Sequence, residues 1–152
     1  MKLRTTPHAD DLARVRTWFE TLASCCRAID YEGARPIFAE DMIAFGTFTD
    51  FMHGRDLAEQ KQWRNVWGTI RNFRFDLDSI EAIVSADRLT AIGMGVWNSD
   101  GFYPNGDRFD RGGRATVGLG RQKVGEPFVA THTHLSLNRG TPDRSYGSFS
   151  GL

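Results

Sequence analysis

Two histidines stand one residue apart near the end of the chain, in Phe128-Val129-Ala130-Thr131-His132-Thr133-His134-Leu135-Ser136-Leu137-Asn138. The segment is rich in β-branched residues and reads as a strand, whose alternate side chains leave opposite faces. Phe128, Ala130, His132, His134 and Ser136 then share one face, apolar at one end and polar at the other. Val129, Thr131, Thr133, Leu135 and Leu137 share the second face. Two imidazoles on one wall titrate near neutral pH and can hold different protonation states, as a general acid and base pair requires. Ser136 and Arg114 could instead satisfy them as a hydrogen-bonded layer at the end of a core. His-x-His also suits zinc or iron, but a third ligand is needed. Asp50 or His53 could supply one, yet nothing in the spacing requires it, so no metal is assigned.

Other residues could complete such a site. Asp50 lies in Thr47-Phe48-Thr49-Asp50-Phe51. A carboxylate in apolar surroundings makes a stronger base, although the same residue suits a turn between two short strands. Arg114 could clamp a carboxylate or phenolate if it faces inward. Facing outward, it would pair with a neighbouring strand or a partner subunit. Trp63, Trp67 and Trp97, with Phe45 and Phe128, could floor a pocket for a flat apolar ligand, or serve only as core.

These residues need elements to position them. Leu12, Val15, Trp18, Phe19, Leu22, Cys26 and Ile29 follow helical spacing and predict an amphipathic helix over about residues 7–28, capped by Thr6 and opened by Pro7. A short helix is expected over Tyr31 to Phe38, limited by Pro36. One or two strands should fall within Met42 to Met52, and a second helix over about 55–70. From Asn72 the period changes to two. Strands are expected through Phe73 to Leu77, Leu89 to Asn98, Arg111 to Arg121 and 128–138, separated by turn-rich segments. Helices first and long antiparallel strands after predict an α+β domain. Its strongly bent sheet would form a cone, with the N-terminal helices across its concave face and a pocket at the open end. The domain should span residues 1–138, and the Gly- and Ser-rich segment 139–152 should be flexible.

Composition narrows the function classes. At 152 residues, with 19 basic and 19 acidic side chains, the chain has no basic stripe to suggest nucleic acid. No apolar run approaches the ~20 residues that span a bilayer. Cys25 and Cys26 are the only cysteines and are neighbours, so they cannot staple distant segments. A reducing, cytoplasmic setting is expected. Gly93-Met94-Gly95 and Gly118-Leu119-Gly120 lie within strands and lack a following helix, so they are not dinucleotide fingerprints. Asn98-Ser99-Asp100-Gly101 lacks the later glutamate of a calcium loop.

The order of elements resembles the SnoaL-like branch of the nuclear-transport-factor-2-like superfamily. Asp30-Tyr31-Glu32-Gly33, Phe38-Ala39-Glu40-Asp41, Phe45-Gly46-Thr47 before Gly54-Arg55, Gly113-Arg114-Ala115-Thr116-Val117 and His132-x-His134-x-Ser136 carry the likeness. It covers roughly residues 8–138. The resemblance implies a conical α+β barrel, often a homodimer joined through the outer sheet face. It also implies cofactor-free chemistry of the isomerase, cyclase, dehydratase or hydrolase type, or a non-catalytic binding or oligomerisation module. The general-base aspartate of ketosteroid isomerases would align at Phe45 or Gly46, and their first-helix tyrosine has no counterpart in Thr21 to Ser24. Steroid isomerisation is therefore not implied. The expectation is a small-molecule ligand in the cone, without a cofactor. His132, His134 and Asp50 would do the chemistry; Phe45, Trp63, Trp67, Trp97, Arg114 and Phe128 would hold the ligand.

Overall fold

A computed structural model describes residues 1–151. Helix α1 is Ala9–Ala28, and its buried stripe of Val15, Trp18, Phe19, Leu22 and Cys26 follows the expected 3.6-residue period. The helix begins two residues later than expected. His8 occupies the cap position without a side-chain hydrogen bond, so Thr6 does not cap it. Ile29 ends it in the left-handed conformation, its amide donating to the carbonyls of Cys25 and Cys26. Helix α2, Tyr31–Ala34, starts at Asp30, whose side chain accepts from the amide of Gly33.

Strand β1 is Phe38–Phe45 and β2 is Phe51–His53. Helix α3, Arg55–Ala58, passes into a π-helical turn, Glu59–Trp63, then α4, Arg64–Val66, and a 3-10 turn, Trp67–Thr69. Strands β3, Arg71–Phe75, and β4, Glu81–Val84, precede two long strands, β5 at Thr90–Phe102 and β6 at Arg108–Gly120. Strand β7, Val129–Leu137, closes the order. The seven strands form a strongly curved, unclosed sheet in the order β2-β1-β7-β6-β5-β3, with β4 also on β5. Only β1 and β7 run parallel; the other pairs are antiparallel. Among the described residues, no helix is long and apolar enough to cross a membrane.

The helices cover the inner face of the sheet, and missing side chains shape their seat. A Cβ on Gly93 would come within 2.9 Å of the Phe19 ring and 3.1 Å of Val15. One on Gly95 would come within 2.7 Å of Ile80. These two glycines let α1 lie close to β5, which is their role in place of any phosphate loop. Phe19 then meets Phe75 edge-on at 4.7 Å.

The far end of the cone is tied by charge. Asp11, in the first turn of α1, is fully buried and accepts from Arg88 at 2.7 and 3.0 Å and from Arg121 at 2.6 Å. Arg121 also lies over the Phe128 ring at 4.2 Å.

Residues 145–149 of the C-terminal segment lie against the domain. Ser145 donates to the carbonyl of Thr69 and accepts from the amide of Phe102. The amides of Tyr146 and Phe149 donate to the carbonyls of Phe102 and Gly68. Phe149 packs on Phe102 and beneath Arg71. Its small residues permit this close docking: a Cβ on Gly147 would run into the carbonyl oxygen of Thr69.

Candidate functional site

The inner face of the sheet, α1 and the segment from α3 to Ile70 enclose a cavity of about 50 Å³. Its aromatic wall is built by helical spacing. Trp63 and Trp67, four residues apart, stack at 5.3 Å with an interplanar angle of 12°. Trp63 leans on Phe38 at 4.8 Å, and Trp67 stacks on Tyr31 at 5.4 Å. The π-helical turn that ends at Trp63 adds a residue to the helix just before this pair, an irregularity that often accompanies functional sites. Across the cavity, Trp97 of β5 sits 5.3 Å from Phe73. It fits because Gly113 opposes it on β6, where a Cβ would run into the Trp97 ring and the carbonyl oxygen of Ser136. Phe45, Gly46 and Thr47 are half-buried and form the rim.

The polar members of the lining are few and incompletely satisfied. Among the described residues, four buried side-chain atoms lack a hydrogen-bond partner, and three belong to residues on this cavity: Gln62 Oε1, Trp97 Nε1 and Arg111 Nε. Arg111 is the exceptional one. It extends from β6 with 3 % exposure, its guanidinium 5.3 Å from the Trp97 ring, and no carboxylate of the described residues pairs with it. Its burial pulls the guanidinium down to about 10. Ser99, also fully buried, holds the strand there by donating to the Arg111 carbonyl at 2.8 Å. Cys26, on the α1 side of the cavity, is pushed well up by its burial and stays a neutral thiol.

Several sequence-derived candidates stand elsewhere. His132 and His134 face the outer side of the sheet, not the cavity. The cause is a β-bulge: Leu119 pairs with Ala130 but Gly118 pairs with His132, so Thr131 is an extra residue in β7. Alternation restarts after it. Ala130 is buried on the inside, and Thr133 and Leu135 rather than the histidines continue the inner face. His132 donates from Nδ1 to the carbonyl of Ile43 at 2.7 Å, and both imidazoles meet Phe45, at 5.9 and 5.2 Å. Asp50 is exposed in the loop between β1 and β2. Arg114 points outward. Phe128 is buried, but under Arg121 near the start of α1, away from the cavity. The structure does bring Phe45, Trp63, Trp67 and Trp97 together on the cavity lining.

Arg111 and Gln62 are not among the sequence-derived candidates. For Arg111 a signal is present: it shares parity with Ala115, Val117 and Leu119, the buried positions of β6, whereas Arg114 has the opposite parity. Gln62 carries no such signal, because its inward aim depends on the π-helical turn.

No family model matches the sequence, and no curated protein matches it. Among solved structures the chain is similar to Aln2 from a Streptomyces species, with a TM-score of 0.71 and 12 % identity over 88 % of this chain and 94 % of that one. It is similar to a ketosteroid isomerase-like protein from Erwinia carotovora atroseptica, with a TM-score of 0.69 and 14 % identity over 89 % of this chain and all of that one. An NTF2-like protein of unknown function from Pseudomonas putida has a TM-score of 0.67 and 20 % identity, over 86 % and 89 % of the two chains. In its topology this chain has the NTF2-like cone fold.

Proposed function

We propose that the protein binds a small, largely apolar molecule within the cone, as a binding module whose cavity holds no general base. One observation carries this reading: three buried polar atoms without a hydrogen-bond partner among the described residues belong to side chains on a cavity otherwise walled by tryptophan, phenylalanine and aliphatic side chains. Apolar walls with a few convergent polar groups are the usual make-up of a ligand site. The ketosteroid isomerase-like neighbour favours catalysis by analogy of fold, but fold alone does not set function. The described lining contains no Asp, Glu or His, and its one thiol is held neutral. Proton abstraction would have to come from the ligand itself or from a group outside the cavity.

Tryptophan emission should report occupancy directly, since three of the four tryptophans line the cavity. Titration with small apolar and amphipathic molecules is expected to give a saturable change. Ala44→Phe, which fills the space from β1, is expected to abolish it. No saturable change with any molecule, or an unchanged response in Ala44→Phe, would remove the reading. His132→Ala and His134→Ala are expected to leave the affinity within a factor of about two, because neither ring faces the cavity.

The outer sheet face favours a second copy of the chain as partner. One register row runs Ile43, His132, Gly118, Ile92, Ile83 across five strands. Ile43, Ile83 and Ile92 are 39, 41 and 45 % exposed, and Phe51 and Val96 on the same face 61 and 54 %. Such a broad apolar surface marks an association site. Sedimentation of the wild-type chain is expected to show a dimer, and Ile92→Glu a monomer. A monomeric wild type at tens of micromolar would refute the dimer.

A further inference from the structure

The fold treats buried charge consistently, with one exception. Asp11 has Arg88 and Arg121. Glu59, 8 % exposed, has Arg35 and Arg64 at 2.7 and 2.8 Å. Arg111 is as buried as these groups and has neither a carboxylate nor a hydrogen bond to its side chain among the described residues. A buried, unpaired guanidinium is costly, and the usual remedy is a partner. Here the space beside it is an open cavity instead of a carboxylate-bearing side chain.

We propose that Arg111 is the counter-ion for a small organic carboxylate, whose carbon skeleton lies among Trp63, Trp67 and Trp97. This rests on the reading of the cone as a ligand site, and it names the ligand's chemical class. The donors fit the class. Arg111 presents a planar fork that matches a carboxylate, and Trp97 Nε1 adds a further donor on the same side of the lining. Gln62 Oε1 is an unmatched acceptor, suited to a hydroxyl or N–H on the ligand. Arg111 is the only charged residue on the described lining. One positive charge balances one carboxylate, whereas a phosphate dianion would remain half-compensated among apolar walls. The 50 Å³ of space limits the skeleton to a few carbon atoms, and a carboxylate the size of propionate requires the lining to yield slightly. Arg111 also borders an outer cleft of about 420 Å³, lined by Phe48, Asn65, Thr69, Asp143, Arg144 and Ser145. Asp143 on that cleft forms no ion pair with Arg111.

The test compares propionate with its neutral analogue propionamide on the full chain, by calorimetry and tryptophan emission, with inorganic phosphate as a third probe. Propionate is expected to bind roughly ten to a hundred times more tightly than propionamide, as for a charge-assisted hydrogen bond. Arg111→Met is expected to lose that preference while keeping propionamide binding. Its Tm should equal or exceed that of the wild type, because a buried charge with no partner among the described residues has been removed. Should Arg111→Met not fold, Arg111→Lys keeps the charge without the fork and is expected to retain only part of the preference. Equal affinity for propionate and propionamide would overturn the carboxylate assignment and leave the ligand site standing. Phosphate binding as tightly as propionate would also overturn it, in favour of a general anion site. Absence of binding by both organic probes and by every apolar molecule of the panel above would remove the site and this proposal together.

Discussion

Asp11→Asn is expected to destabilise the protein by on the order of 3 kcal/mol, read as a lowered urea midpoint near neutral pH. The carboxylate has no exposed surface and takes three hydrogen bonds from two guanidiniums. Arg121, whose side chain is itself fully buried, would be left beside Arg88 without a counter-charge. The effect is large because the cluster joins three distant parts of the chain: the first turn of α1, the turn before β5 and the end of β6. The pH dependence has a definite sign. The Arg88 hydrogen bond first, and then Arg121, hold the Asp11 carboxyl down to about 2 despite its burial. In the unfolded chain an aspartate titrates near ~3.9. A depressed folded value means that the contribution is complete above the unfolded value and is lost as pH falls towards about 2. The stability gap between wild type and Asp11→Asn should therefore narrow between about pH 4 and about pH 2. Equal midpoints at neutral pH, or a gap that does not narrow on acidification, would show that the cluster does not act as described.

The second large effect is expected at Trp97. Trp97→Ala should cost about 3–5 kcal/mol, since a fully enclosed ring cannot be replaced by collapse of its surroundings. The ring is 2 % exposed and is held between Phe73, the guanidinium of Arg111 and the bare backbone of Gly113. Trp97→Phe should cost markedly less. It keeps most of the contact area and deletes an N–H that has no partner among the described residues. The two substitutions together separate packing from polarity, and calorimetric Tm values suffice to read them. A loss below about 1 kcal/mol in Trp97→Ala would mean that the cavity wall yields freely, which contradicts the packing described. A loss in Trp97→Phe as large as in Trp97→Ala would show that the indole N–H has a partner after all.

Much of the architecture is legible where the hydrophobic pattern is long and regular. Helix α1 declares itself through Val15, Trp18, Phe19, Leu22 and Cys26, and most of β5 and β6 is legible within Leu89 to Asn98 and Arg111 to Arg121, although each strand runs for thirteen residues. Short elements are not legible. Strand β4 is four residues, Glu-Ala-Ile-Val, too few for a period to emerge, and it exists because β5 offers an edge. The hairpin loop between β5 and β6 is narrower than its composition suggests, because Ser99 to Gly101 are turn-forming residue types yet pair with Arg111 to Phe109. In the site, helical spacing and strand parity place the tryptophans. They cannot place the histidines, whose side of the sheet depends on a register slip that local sequence does not announce. Docking of the C-terminal segment is hidden for a related reason. Its glycines and serines look like a linker, while in the fold they serve close backbone approach.

Thr131 has a consequence for how such a wall could change its chemistry. Replacing His132 or His134 alters the outer surface only, and no single exchange of residue type there puts a base in the hollow. Excising Thr131 would remove the bulge and leave both imidazoles outside, whereas inserting one residue between Thr131 and His132 would move His132 and His134 into the positions of Thr133 and Leu135 and turn both rings inward. The acid–base character of this wall is thus governed by a count of residues, and a single-codon insertion is the genetic event that would switch it.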